Sequence, residues 1–263
     1  MILNIVETRQ ELAQTAAEYF FRKSLEAIAE RGFFTVALSG GSTPKLLYQL
    51  LADPNEPFRE QIPWPRIHFF WADERHVPPD HPESNYGMAN EAMLSRVPVS
   101  KHKVHRIKSE NPDAADAAQA YEEQVLKFVS GSPPRFDLTL LGLGTDGHTA
   151  SIFPDSEVLH ETKRVVAAPW IEKLKAYRLT MTLPLINNSA SVLFLISGTE
   201  KAEIVKAILQ GSKAYPARKV RLTNGELLWL LDRDAASKVN FNSPEEATRE
   251  VIKELLQQKH SLN

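Results

Sequence analysis

Asp146 and His148 stand two residues apart in "LLGLGTDGHTASIFP", residues 140–154, among three glycines. A free imidazole titrates near ~6.5, so a histidine on an accessible turn can take and return a proton at neutral pH. A carboxylate beside it fixes its tautomer and favours its charged form. In an extended segment, residues two apart face the same way, which would bring these side chains together. The pair offers general acid–base work on a substrate in an open cleft. A capping or structural histidine is the alternative.

Three other stretches offer to hold an anion. "SGGSTPK" (39–45) combines Ser39, Gly40, Gly41, Ser42 and Thr43 with Pro44. The glycines expose backbone N–H groups, Ser42 or Thr43 can cap a following helix, and the helix N-terminus favours negative charge. It does not satisfy the Walker pattern. "SGTEKA" (197–202) has the same plan, with Thr199 as cap and Lys201 in the first helical turn. A lysine there opposes the helix dipole, which a bound anion would relieve. "ADERHV" (72–77) supplies Arg75 to grip a phosphate and Asp73 to position a hydroxyl or a catalytic group. Each stretch also reads as a well-capped or self-paired turn that binds nothing.

Other chemistries fit less well. Gly142, Gly144 and Gly147 match G-x-G-x-x-G after a strand. Asp146, however, would face the pyrophosphate, and the following strand, "RVVAAPW", ends without the acid that would bind a ribose. Ser39, Ser42 and Ser151 lie outside a G-x-S-x-G elbow, which argues against a serine hydrolase. His102 and His105 lack a third ligand at metal-binding spacing and read as solvated loop residues.

These stretches must be positioned by a scaffold. Apolar runs at 33–39, 66–74, 135–142, 164–169, 178–183, 191–197 and 226–232 read as strands. Helical patterns fall at 8–31, where Leu12, Ala16, Tyr19, Phe20, Leu25 and Ile28 form the apolar stripe, and near Pro44, at 84–94, 112–129, 200–210 and 244–257. The alternation predicts an α/β fold, a mostly parallel sheet with helices on both faces. Ligands of such sheets bind beyond the carboxyl ends of the strands, where all four polar stretches fall. With no evident linker or repeat, residues 1–263 read as a single α/β domain.

The 263 residues carry a formal net charge of −2, which supplies no general attraction to nucleic acid or anionic membranes. The absence of cysteine excludes thiolate chemistry, disulfides and cysteine-ligated metals. The opening "MILNIVETRQELAQ" does not resemble a signal peptide, and no window reaches the ~18 apolar residues of a membrane span, so a cytoplasmic location is expected.

Together the stretches resemble the 6-phosphogluconolactonase family, within the wider group that includes glucosamine-6-phosphate isomerase/deaminase. The pieces are "LSGGSTPKLLYQLL" (38–51), "FFWADERHVPPDHPESNYGMA" (69–89), "LLGLGTDGHTASIFP" (140–154), "RLTMTLPLINNSASVLFLISGTEKA" (178–202) and "YPARKV" (215–220). The resemblance implies a Rossmann-like fold and hydrolysis of 6-phospho-D-glucono-1,5-lactone, with no metal or organic cofactor. It implies His148 as general base, with Asp146 or Asp73 supporting it. Arg75, Arg178, Lys201 and the backbone of 40–43 become candidates for the phosphate. The implied partner is the sugar-phosphate lactone alone, without nucleic acid or membrane, on a monomer, with a small homo-oligomer left open. The deaminase pattern "GHIAFNEP" has a glutamate before its proline, where this chain has Phe153, and this favours the lactonase. A deaminase and a non-catalytic sugar-phosphate sensor remain the rival readings.

Overall fold

The computed structural model describes residues 1–131 and 133–239; the helix expected at 244–257 lies outside them. Six strands form one parallel sheet: β1 (Ile2–Val6), β2 (Phe34–Leu38), β3 (Ile67–Trp71), β5 (Leu138–Leu141), β9 (Ser191–Ile196) and β10 (Glu226–Asp232), in the order β1-β10-β9-β5-β2-β3. Every residue of β2, β5 and β9 is buried. Because side chains alternate between the faces of a strand, both faces of the sheet are covered. The α/β expectation therefore holds.

The covering helices include α1 (Arg9–Arg31), α2 (Ser42–Leu51) and α5 (Ala114–Phe128). Thr8 caps α1 by accepting from the Glu11 amide, and Gly32, at φ 81°, ends it. Leu12, Ala16, Tyr19 and Phe20 are buried as the stripe predicts, but Leu25 is exposed. Over the last turns the small Ser24 and Ala27 take the buried positions instead. Phe20 meets Phe34 of β2 edge to face at 5.5 Å, fixing α1 to the sheet.

Chain order reverses between β2 and β5. From β2 the chain adds β3 on one side, whereas β5, β9 and β10 proceed towards the other. A crevice therefore opens beyond the ends of β2 and β5, the usual ligand position in such sheets.

The sequence reading differs from the structure in three places. The N-terminal ILNIV is an edge strand, β1, paired to β10, and it was not anticipated. The "ADERHV" turn contains a strand, β4 (Asp73–Arg75). The runs near 164–183 do not join the parallel sheet. They form β6 (Val166–Ala167), β7 (Trp170–Ile171) and β8 (Ala176–Met181), and β8 pairs antiparallel with β4, β6 and β7. Short strands with polar residues on one face suit this half-exposed antiparallel layer, which no periodicity distinguishes from a parallel strand. Helices α3 (Phe58–Gln61), α4 (Asn85–Ala92), α6 (Leu183–Asn187), α7 (Ala202–Gln210) and α8 (Arg233–Ala236) are the other α-helices among the described residues, and short 3-10 turns join several elements. No helix among the described residues is long and apolar enough to cross a membrane.

Candidate active site

The stretch after β5 makes turns and one isolated bridge, Thr149 to Ile152, and no helix starts before the short 3-10 turn Glu157–His160. A dinucleotide fold needs a helix N-terminus here, so the glycine spacing serves another purpose. The Gly144 amide donates to the His148 carbonyl at 2.8 Å and the Gly147 amide to the Gly144 carbonyl at 2.9 Å, which closes the turn. A side chain on Gly144 would place its Cβ 2.1 Å from His148 Nδ1. Gly147 has φ 83°, and its missing Cβ makes room for the Tyr215 ring.

Asp146 Oδ1 lies 2.5 Å from His148 Nδ1 and also accepts from the His148 amide at 3.2 Å. A tight turn through Gly147 brings the two together, rather than the extended segment expected. Nδ1 is thereby engaged. The imidazole stacks on Phe153, with ring centroids 4.1 Å apart and planes at 23°. Lys173, between β7 and β8, pairs with Asp146 Oδ2. Burial pushes the Asp146 carboxyl up, but the hydrogen bonds from Lys173 and His148 outweigh it and hold the group down at about 2. The carboxylate is thus a fixed negative charge beside the ring at neutral pH.

Asp73 does not contact the imidazole. Its Oδ2 accepts from Ser151 Oγ at 2.7 Å, and its backbone carbonyl accepts from Asn85 Nδ2 at 2.9 Å. The Ser151 amide donates to Thr180 Oγ1 of β8 at 3.2 Å. Ser151 thus docks the histidine turn onto the β4–β8 layer. Residues two apart in a strand share a face, and Asp73 pairs with Thr180 while Arg75 pairs with Arg178. The two arginines therefore lie directly opposite each other on the face that holds Ser151.

Like charges opposed across strands destabilise a sheet. Arg75 donates to the Glu83 carbonyl and Arg178 to the Tyr177 carbonyl, but neither forms a salt bridge with a carboxylate among the described residues. Burial, and next the charge of Arg75, pull the Arg178 pKa down. The neighbouring Glu74 forms no salt bridge with them; its carboxyl group accepts from the amides of Arg75, Asn85 and Tyr86 and from Ser84 Oγ. It caps α4 instead.

The 39–45 turn closes the other side. Gly41, at φ 103°, is the cap residue of α2, and no side chain caps the helix. The expected caps Ser42 and Thr43 are its first two residues, so the amides of the first turn remain available to a ligand. The Tyr48 hydroxyl clamps Ser39 by accepting from its amide at 3.0 Å and donating to its carbonyl at 2.8 Å. A Cβ on Gly40 would fall 1.9 Å from Asn85 Oδ1, so Asn85 packs against this turn while binding Asp73. Asn85 was not singled out in the sequence. Its place directly after the helix cap Ser84 was the available signal.

The turn after β9 repeats this backbone. Gly198, at φ 102°, takes the cap position expected of Thr199, and its amide donates to Asp232. Lys201 ends the turn Thr199–Lys201, on the opposite side of β5 from the 39–45 turn, and forms no ion pair among the described residues. The structure thus brings Asp146 and His148 together, and links Asp73, Arg75 and Arg178 to them through Ser151. The 39–43 turn joins through Asn85, and Lys201 makes no ion pair with any of these residues. His105 is buried rather than solvated; its Nε2 lies 2.9 Å from His68 Nδ1. No cluster of three metal-ligating side chains occurs among the described residues.

The family model for glucosamine-6-phosphate isomerases/6-phosphogluconolactonase matches residues 7–229. A curated 6-phosphogluconolactonase of a Synechocystis species is 40% identical over 243 residues, covering 90% of this chain and 98% of that protein. The chloroplastic 6-phosphogluconolactonase 3 of Arabidopsis thaliana is 38% identical over 247 residues, covering 90% and 75%. The solved 6-phosphogluconolactonase of Trypanosoma brucei superposes with a TM-score of 0.80 at 32% identity, covering 91% of this chain and 98% of that one. A monomeric glucosamine-6-phosphate deaminase, 24% identical, shares the fold with a TM-score of 0.76.

Proposed function

The chain belongs to the glucosamine-6-phosphate isomerase/6-phosphogluconolactonase family, and on that premise we propose that it hydrolyses 6-phospho-D-glucono-1,5-lactone to 6-phosphogluconate in the cytoplasm. The observation that carries this reading is the opposed pair Arg75 and Arg178. They lie without a bridging carboxylate on the surface to which Ser151 ties the Asp146–His148 turn. Two facing guanidiniums, neither in a salt bridge among the described residues, suit a dianion, and bidentate phosphate recognition fits them.

In this reading the arginines and the free amides of the α2 N-terminus hold the 6-phosphate, with Lys201 adding positive charge from the β9 side. Binding at this remote group places the lactone carbonyl before His148. A water between them loses its proton to Nε2 as its oxygen attacks the carbonyl carbon. Asp146 holds Nδ1–H and stabilises the imidazolium that forms. The tetrahedral intermediate collapses with cleavage of the bond to the ring oxygen, which takes the proton back from Nε2 as the 5-hydroxyl of the product. Asp73 acts through Ser151, positioning the turn. The amides of Gly144 and Gly147 already close the turn and are not free to stabilise the oxyanion.

Phe153 separates this reading from a deaminase. It offers the imidazole an apolar platform where the deaminase pattern would offer a second acid. The test is hydrolysis of freshly generated lactone, coupled to oxidation of 6-phosphogluconate and corrected for spontaneous opening, with ammonia release from glucosamine 6-phosphate measured alongside. Turnover of the lactone that is lost in His148→Ala is expected. Ammonia release, or a His148→Ala variant as active as the parent, would overturn it.

A further inference from the structure

Lys173 lies far from the glycine-rich stretch in sequence, and no motif marks it. The structure places it at the tip of the short link between β7 and β8, where Glu172–Leu174 form one 3-10 turn and Lys175 reverses the chain at φ 47°. From there its ammonium makes two contacts with the candidate active site. It pairs with Asp146 Oδ2, and it lies 5.5 Å from the centroid of the Phe153 ring. Asp146 Oδ1 binds His148 Nδ1, and Phe153 carries the His148 ring. The two supports of the imidazole, one polar and one apolar, therefore meet at a single side chain.

We propose that Lys173 is a positioning residue for the hydrolytic reaction, locking the Asp146 carboxylate and the Phe153 ring so that His148 presents Nε2 to the attacking water. This rests on the reading of His148 as general base. A carboxylate bound only through Oδ1 can rotate about its Cβ–Cγ bond. Engaging Oδ2 from the opposite side fixes its plane and directs the Oδ1 lone pair at Nδ1–H. The ammonium over the Phe153 face adds a cation–π attraction that holds the ring under the imidazole. Lys173 also spans two layers of the fold: the pair joins the loop after β5 to the β7–β8 hairpin of the antiparallel layer, as Ser151 joins the same loop to β4. The ammonium's proximity is one reason the Asp146 carboxyl sits near 2. The Lys173 side chain is 60% exposed, so its removal leaves no cavity in the core.

The test uses the full chain and three variants. Lys173→Met keeps the aliphatic stem without the charge, Lys173→Arg restores a cation that can reach both partners, and His148→Ala is the reference. The expected result for Lys173→Met is a fall in kcat of roughly 10- to 100-fold, the loss associated with a misplaced catalytic group. KM and the unfolding midpoint stay close to those of the parent, and Lys173→Arg recovers most of the rate. The ¹⁵N signal of His148 Nδ1 moves towards a mixed tautomer in Lys173→Met and returns in Lys173→Arg. Parental kcat in Lys173→Met, a rise in KM with kcat unchanged, or no recovery in Lys173→Arg would each overturn the proposal. If His148→Ala also keeps its activity, the reading of His148 has failed. If His148→Ala is inactive and Lys173→Met is not impaired, only the positioning role has failed.

Discussion

Ser151 donates its hydroxyl hydrogen bond to Asp73 at 2.7 Å, and this bond ties the turn bearing His148 to the strand bearing Arg75. Both residues are buried, at 2% and 7% exposure, so water cannot replace the contact. Ser151→Ala leaves the carboxylate short of a donor, and loss of a hydrogen bond to a buried charged group costs about 1.5–3 kcal/mol. The expected outcome is a lower urea midpoint together with reduced kcat/KM on the lactone. An unchanged midpoint and rate would show that the tie is dispensable.

Gly144 and Gly142 offer a contrast within one turn. A Cβ on Gly144 would overlap the His148 ring at 2.1 Å, whereas on Gly142 the nearest atom, Ser39 Oγ, is 3.9 Å away. Gly144→Ala must displace the imidazole, and a shift of about 1 Å costs on the order of 100-fold in rate. Gly142→Ala should retain most of its activity. Steady-state kinetics on the two variants, with circular dichroism to confirm folding, checks the difference.

The parallel sheet and its ligand-bearing edge were legible because β2, β5 and β9 are continuous apolar runs ending in glycine and small polar residues. The Asp146–His148 pairing was legible from the residue types, although the turn that produces it depends on φ at Gly147, which spacing does not reveal. Ser42, Thr43 and Thr199 were misread as caps because a glycine with positive φ can occupy the cap position without a side-chain bond. The antiparallel layer escaped notice because strands of two to six residues carry no distinguishing period. Lys173 was invisible for a different reason, and Asn85 was marked only by its place after Ser84: the contacts of both form only when distant segments pack. Asp146 and His148 are close in sequence, whereas Lys173, which pairs with Asp146, is not.

Arg178 sits opposite Arg75 with no carboxylate between them, so its contribution to stability and to binding should have opposite signs. Removing one of two opposed like charges relieves repulsion of a few tenths of a kcal/mol, about 0.2–1 for a cross-strand pair. Arg178→Met should therefore keep or raise the urea midpoint while weakening inhibition by inorganic phosphate and by 6-phosphogluconate. The same change should raise KM for the lactone more than it lowers kcat. Tight phosphate inhibition retained in Arg178→Met would remove the guanidinium from the phosphate site.

His105 sets an acid limit on the fold, remote from the proposed chemistry. Its ring is buried, stacks on Phe70 of β3 at 4.4 Å and tilts against Phe128 of α5 at 4.7 Å. Around it stand His68 of β3 at 2.9 Å, Gln124 of α5 at 3.2 Å, and Lys103, whose ammonium lies 3.1 Å from His68. Burial, then the neighbouring His68 and Lys103, lower the His105 pKa to about 4, and burial with Lys103 lowers His68 as well. The folded state thus favours neutral rings, whereas the unfolded chain protonates them near ~6.5. Below that pH the unfolded state binds more protons, so stability is intact above pH 6.5 and is lost as pH falls towards 4. Urea unfolding between pH 7 and pH 4 should show this decline, and His105→Gln, which cannot titrate, should flatten it even if its stability at pH 7 is lower. A decline of the same steepness in His105→Gln would place the acid sensitivity elsewhere in the molecule.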